Sequence, residues 1–220
     1  MRLALLALAA VLAAGPAAAE CRDDVTAAFA KQRAAKSFRM EANVISMQGP
    51  MKMTVDYVLP DRIRQRIVFA TQPDAAIEAV LIGLKSWANE GKGWAVAPGE
   101  IKAELERQLR DVAQETDDQL GNFECAGKET IDGVELSVFR SVKGPPGAGG
   151  KPTGGTEAPN EMTRLIFVDP AKGLPARTIV GRANALDRPL FKAVYSYPSE
   201  IKIEAPAANC RGPGLPGARG

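Results

Sequence analysis

Residues 37–60 read SFRMEANVISMQGPMKMTVDYVLP, and the period of this stretch decides the fold. Phe38, Met40, Ala42 and Val44 occupy alternate positions, with Arg39, Glu41 and Asn43 between them. After Gln48-Gly49-Pro50 the alternation resumes, with Met51, Met53, Val55, Tyr57 and Leu59 set against Lys52, Thr54 and Asp56. Alternate residues of a strand point to opposite faces, so each run is a half-buried strand. The Gly-Pro break between them turns the pair into a hairpin.

The same rhythm continues downstream. Pro60-Asp61 ends the second strand, and Ile63, Ile67 and Phe69 then alternate with Arg62, Arg64 and Arg66, which extends the hairpin to an antiparallel meander. Residues 77–97 read as a further hairpin turning at Glu90-Gly91-Lys92-Gly93. Phe123–Thr130 and Val134–Ser141 flank Asp132-Gly133, a strong two-residue turn pair. Met162–Val168 and Leu174–Val180 flank Asp169-Pro170-Ala171-Lys172-Gly173. Phe191, Ala193, Tyr195 and Tyr197 share a face, and Ile201 and Ile203 close the series before Pro206.

Two segments change period. Residues 23–36 place Val25, Ala28, Phe29 and Gln32 on one stripe behind Asp23 and Asp24, the arrangement of a short helix. Past Pro98-Gly99, Ile101, Leu105, Leu109 and Val112 recur at spacings of four and three, with charges between them through Asp118, which predicts a second helix.

The N-terminus carries Met1-Arg2, an apolar run from Leu3 to Ala14 and Gly15-Pro16-Ala17-Ala18-Ala19, the three regions of an export signal, with cleavage expected after Ala19. The apolar run is shorter than the roughly 20 residues a membrane-spanning helix needs, and no later segment approaches that length. Cys21 follows closely, yet the charged Glu20 before it departs from the small-residue pattern of a lipid-attachment signal, so lipidation is not expected. Removal of the signal leaves about 200 residues, enough for a single good-sized core. The formal charge of +2 falls by one with Arg2, which leaves no long-range field for nucleic acid.

Cys21, Cys125 and Cys210 are the 3 cysteines of the chain. In an oxidising compartment they imply one disulfide and one free thiol, and three pairings are open. A bridge stapling a terminus to the sheet is expected, with Cys21 to Cys125 as its pairing.

The 0 histidines exclude a Ser-His-Asp triad, a Cys-His dyad and imidazole metal sites. No phosphate-binding loop is present, since Gly91-Lys92-Gly93 reads as a hairpin turn. Glu104 with Glu106, and Asp117 with Asp118, are too closely spaced to share a helix face, so they read as solvated charges rather than an acid/base pair. Neither a catalytic residue, a metal site nor a cofactor is expected. Arg62, Arg64 and Arg66 align donors that an anion would fit, but a solvated sheet face is the expectation.

Trp87 and Trp94 flank one turn, either packing across the hairpin or lining a pocket mouth. Met40, Met47, Met51 and Met53 concentrate in one hairpin, where flexible thioethers suit either an ordinary core or a surface that accepts variable acyl chains. The candidate ligand-binding residues are Met40, Met51, Met53, Val55, Tyr57, Trp87 and Trp94.

Together, the export signal, the short helix, a strand ending Leu59-Pro60-Asp61-Arg62 and the hairpin from Ile166-Phe167-Val168-Asp169-Pro170 to Gly173-Leu174-Pro175-Ala176-Arg177 resemble the LolA/LolB-like periplasmic lipoprotein-carrier superfamily. Tyr195-Ser196-Tyr197-Pro198 and Ile201–Pro206 look like its closing strand. The resemblance implies an α+β fold in which a curved antiparallel sheet, a half-barrel, wraps about two helices around an acyl-sized cavity. It implies a non-catalytic periplasmic carrier of lipids or lipoprotein acyl chains, without cofactor and not integral to the membrane. Its partners would be a lipid, an acylated protein or an envelope protein, and no nucleic acid. The organisation expected is a signal at 1–19, a half-barrel domain at 20–206 and a flexible tail at 207–220. Residues 144–160, GPPGAGGKPTGGTEAPN, hold too little apolar surface to order and form a flexible insertion. The same pattern with a filled core would instead be a structural or interaction module of the envelope.

Overall fold

A computed structural model describes residues 17–114, 120–142 and 161–207, with side chains from residue 21 onward. Most of the expected export signal, Asp117 and Asp118, the 144–160 insertion, Cys210 and the tail beyond residue 207 lie outside the described residues.

Helix α1 (Ala17–Ala34) precedes six strands in sequence: β1 (Ser37–Ser46), β2 (Gly49–Val58), β3 (Arg62–Phe69), β4 (Ala76–Ile82), β5 (Lys85–Asn89) and β6 (Ala95–Val96). Helix α2 (Gly99–Gln114) follows, then β7 (Asn122–Ile131), β8 (Val134–Val142), β9 (Met162–Asp169), β10 (Leu174–Arg182) and β11 (Phe191–Ser196). The start of α1 lies further upstream than the aspartates suggested, because Ala17-Ala18-Ala19 is the strongest helix former available there.

All strands join one 11-stranded sheet in the order β6-β5-β4-β3-β2-β1-β11-β10-β9-β8-β7. Each arm is a meander of hairpins, and the arms meet where β1 pairs antiparallel with β11, Met40 opposite Tyr195 and Val44 opposite Phe191. The first and last strands thus form the centre of the sheet, while β6 and β7 are its edges and the segment holding α2 links one edge to the other. The sheet does not close, and the fold is an open, curved antiparallel half-barrel carrying both helices on one face.

Local chemistry explains most of the turns. Asp132 and Gly133 both take positive φ, 53° and 80°, as the two-residue turn between β7 and β8 demands. Two expectations need correction. The 77–97 segment is two hairpins rather than one, because Gly83 (φ 58°) reverses the chain between β4 and β5 well before the turn at 90–93. Ile201 and Ile203 belong to no strand; instead Ile203 is buried and its carbonyl accepts a bond from Arg62 at 3.0 Å.

The helix-facing side carries two packed clusters. Val25, Ala28 and Phe29 of α1 pack with Leu120, Phe123, Phe139, Ile166 and Val168. The disulfide Cys21–Cys125, Cα atoms 5.4 Å apart, ties α1 to β7 within this cluster, the pairing expected from the sequence. Leu105 and Leu109 of α2 pack with Phe38, Val55, Tyr57, Ile63, Ala79 and Leu81, and Ile101 and Val112 lie against them as the helical spacing required. A third cluster, Leu136, Val138 and Phe167, lies on the opposite face of β8 and β9.

Candidate functional site

Register places the methionines. On the helix-facing side, Ile77, Ile67, Met53, Ala42 and Ala193 line up across β4, β3, β2, β1 and β11, and Phe69, Met51, Val44, Phe191 and Val180 form the next row toward the β1–β2 turn. Met51, Met53, Ile67, Phe69, Val44 and Phe191 are all half-buried. Helix α2 packs on β3, β4 and β5, and α1 packs on β1, β7, β9 and β10. The cluster sealed by α2 takes Met40 and Met53 at its margin; Met51, Val44, Ile67 and Phe69 are not among its members. The result is an apolar strip crossing the centre of the sheet with side chains left partly exposed.

The candidate residues divide accordingly. Met40, Met51 and Met53 belong to the strip or its margin. Val55 and Tyr57 are 0% and 4% exposed and form part of the packed cluster, where Tyr57 stacks on Phe38 with ring centroids 4.7 Å apart. Trp87 pairs with Val80 and Val96, whereas its neighbours Ser86 and Ala88 pair with the helix-facing Leu81 and Ala79. Alternation therefore puts Trp87 on the face away from the methionines. Trp94 is half-buried in the β5–β6 connection. Residues that pattern reading did not single out are Phe69, Ile67, Val44 and Phe191. Their alternation was visible, but only the β1–β11 pairing brings Phe191 alongside Val44.

Several polar groups on this face bond within the protein. Gln65, buried between Val55 and Ala79 in the register, donates its amide to Met53 Sδ at 3.0 Å. Gln32 of α1 donates to the Tyr197 hydroxyl at 3.0 Å, and that hydroxyl donates to the Pro175 carbonyl at 2.7 Å. Tyr195 and Thr178 share a hydroxyl contact of 3.2 Å. Burial pushes the Tyr57 and Tyr197 hydroxyls above the usual tyrosine range, so both stay neutral in the physiological range.

Charges collect on the opposite face. Arg39 grips Asp56 at 2.6 and 3.0 Å, and Glu78 receives both Arg64 and Arg66, at 3.2 and 3.4 Å. The arginine stripe is thus largely engaged in cross-strand ion pairs, as expected for a solvated sheet face. On α2, Glu104 accepts bonds from Arg107 and Gln108, and Glu106 pairs with Lys102.

An open antiparallel sheet of this order, with its helices and an apolar strip on one face, is the LolA-like half-barrel. No family model matches the sequence, and no curated protein matches it. Among solved structures it is similar to LprF from Mycobacterium bovis, at 13% identity and TM-score 0.54 over 88% of this chain and 100% of that one. It is also similar to the lipoprotein LppX of Mycobacterium tuberculosis, at 10% identity and TM-score 0.55 over 84% and 99%. MucB matches at 14% identity and TM-score 0.50, over 88% of this chain and 66% of MucB. At these identities the likeness is one of fold. No helix among the described residues is long and apolar enough to cross a membrane.

Proposed function

We propose that this chain is an exported, non-catalytic protein of the cell envelope that holds an acyl chain, from a free lipid or an acylated protein, along the strip formed by Met40, Met51 and Met53 with Ile67, Phe69 and Phe191. One observation carries the reading: contiguous apolar side chains on five neighbouring strands remain half-buried, on the face where a packed core would be complete. Contiguous apolar surface left open in this way marks a binding site more often than an accident of packing. Thioethers suit the task, because unbranched side chains repack around tails of different length. The fold it shares with the lipoprotein LppX supports an envelope setting, and the N-terminal export signal read in the sequence supports the same compartment.

Displacement of a fluorescent, uncharged acyl ester tests this directly. The native chain is expected to bind the probe, and Met53→Glu to weaken binding about tenfold or more, since the tail would then meet a charge. An equal response from native and variant protein would refute the assignment of the strip. A second reading draws on Val55 and Tyr57, which are sealed beneath α2: the sheet is a solid scaffold whose surface serves an envelope complex. That reading expects no probe binding at all.

A further inference from the structure

On the other face of the strands that carry the strip, we infer that a cavity at the rim of the sheet binds an anionic amphiphile, its carboxylate or phosphate head held by Lys52 and Lys192. The cavity measures about 520 Å³ and lies where the β1–β2 turn, the 70–75 loop and the 183–190 loop converge. Such a volume falls within the range of small-ligand sites. Its register row Lys192–Asn43–Lys52–Val68 runs across β11, β1, β2 and β3 on the face away from the helices. Ile45, Pro50, Pro73 and Pro189 supply half of the remaining wall, and Val44, Met51 and Phe69, which also belong to the strip, border it.

Charge and exposure both specify the occupant. Lys52 and Lys192 flank Asn43 on its two neighbouring strands, and neither has an ion-pair partner among the described residues. Glu41, two residues along β1 on the same face, bridges to neither. Two unpaired ammonium groups beside an apolar hollow are complementary to an anion that carries a tail. Ile45, Met47 and Leu190, three of the exposed large apolar side chains, gather at this same end, where the Ile45 N–H bonds the Leu190 carbonyl at 2.8 Å. They offer the tail a path from a lipid surface into the hollow. The 183–190 loop is braced here, since a Cβ on Gly181 would stand 3.3 Å from Pro189 Cα.

Photo-crosslinking the full chain with a diazirine-bearing hexadecanoic acid, and with the matching alcohol, tests the inference by mapping labelled residues. Acid-probe adducts are expected on Val68, Pro73 and Pro189, falling about tenfold in the K52E/K192E double variant, while the alcohol labels this site weakly in native and variant protein alike. Acid labelling that survives the charge reversal, or that never appears at these three residues, overturns it. Adducts on Met53, Ile67 or Phe191 instead report the strip, so each site stands or falls separately. Competition by inorganic phosphate alone, as strong as by the fatty acid, would also overturn the inference, because the tail would then contribute nothing.

Discussion

Asp169 stands at the base of the β9–β10 turn, where its Oδ1 accepts the backbone N–H groups of Ala171 and Lys172 at 3.0 and 3.2 Å and its Oδ2 meets Lys172 Nζ at 3.1 Å. Burial works to raise this carboxyl, but the bonds from Lys172 and Ala171 outweigh it and hold the group below the usual carboxylate range. A depressed folded pKa means that the unfolded chain takes up the proton first. The carboxylate therefore stabilises the fold above the ordinary aspartate range, and that stabilisation is lost as pH falls through the folded value. Asp169→Ala is expected to cost about 1–2 kcal/mol at pH 7 and clearly less in acid, read from urea midpoints at both pH values. An unchanged midpoint at pH 7 would count against this role. The Asp-Pro turn was legible because both residues act locally. The standing of individual methionines was not: Met51 and Val55 occupy equivalent alternating positions on β2, and only the placement of α2 separates a partly exposed side chain from a sealed one. Val55→Ala should cost about 2 kcal/mol of stability with little effect on probe binding. Met51→Ala should weaken binding and cost under about 1 kcal/mol, and thermal melts beside probe titrations distinguish the two. Equal stability losses would place Met51 in the core.

Among the elements, the helices and most hairpins could be read from period and turn chemistry alone. Leu105 and Leu109 sit where the helical spacing required, and Asp132-Gly133 turns as its two residues dictate. The β4–β5 hairpin escaped because Gly83-Leu84 carries only one glycine as a signal, and the apolar run through Leu84 conceals it. The Ile201–Ile203 segment had strand-like alternation, but the two strands beside β11, β1 and β10, already have a partner on each side. The Cys21–Cys125 bridge acts at this scale, fastening α1 to β7 across a separation of 104 residues. Replacing both cysteines by serine is expected to cost about 2–5 kcal/mol, because the unfolded chain regains the freedom of a long loop. Denaturant unfolding of the double variant, compared with the oxidised native chain, measures this; a loss below about 1 kcal/mol would show that α1 docks independently of the bridge.

For the whole molecule, the decisive contact is the pairing of β1 with β11, which joins two meanders into one curved wall. Nothing local announces it, since any two strands of matching length and alternation pair equally well on paper. Its consequence is local to the strip: Phe191 comes alongside Val44, Met51 and Met53, which the β1–β2 hairpin already sets together, and the apolar row continues across the seam. Whether the wall carries lipid is best decided by native mass spectrometry of the full-length protein, exported and purified without detergent. A bound species of acyl-lipid mass that disappears when Met53→Glu is made in the K52E/K192E background, which removes the rim site as well, is the expected result. A bare polypeptide mass, unchanged after incubation with lipid vesicles, would contradict the proposal that the strip holds an acyl chain.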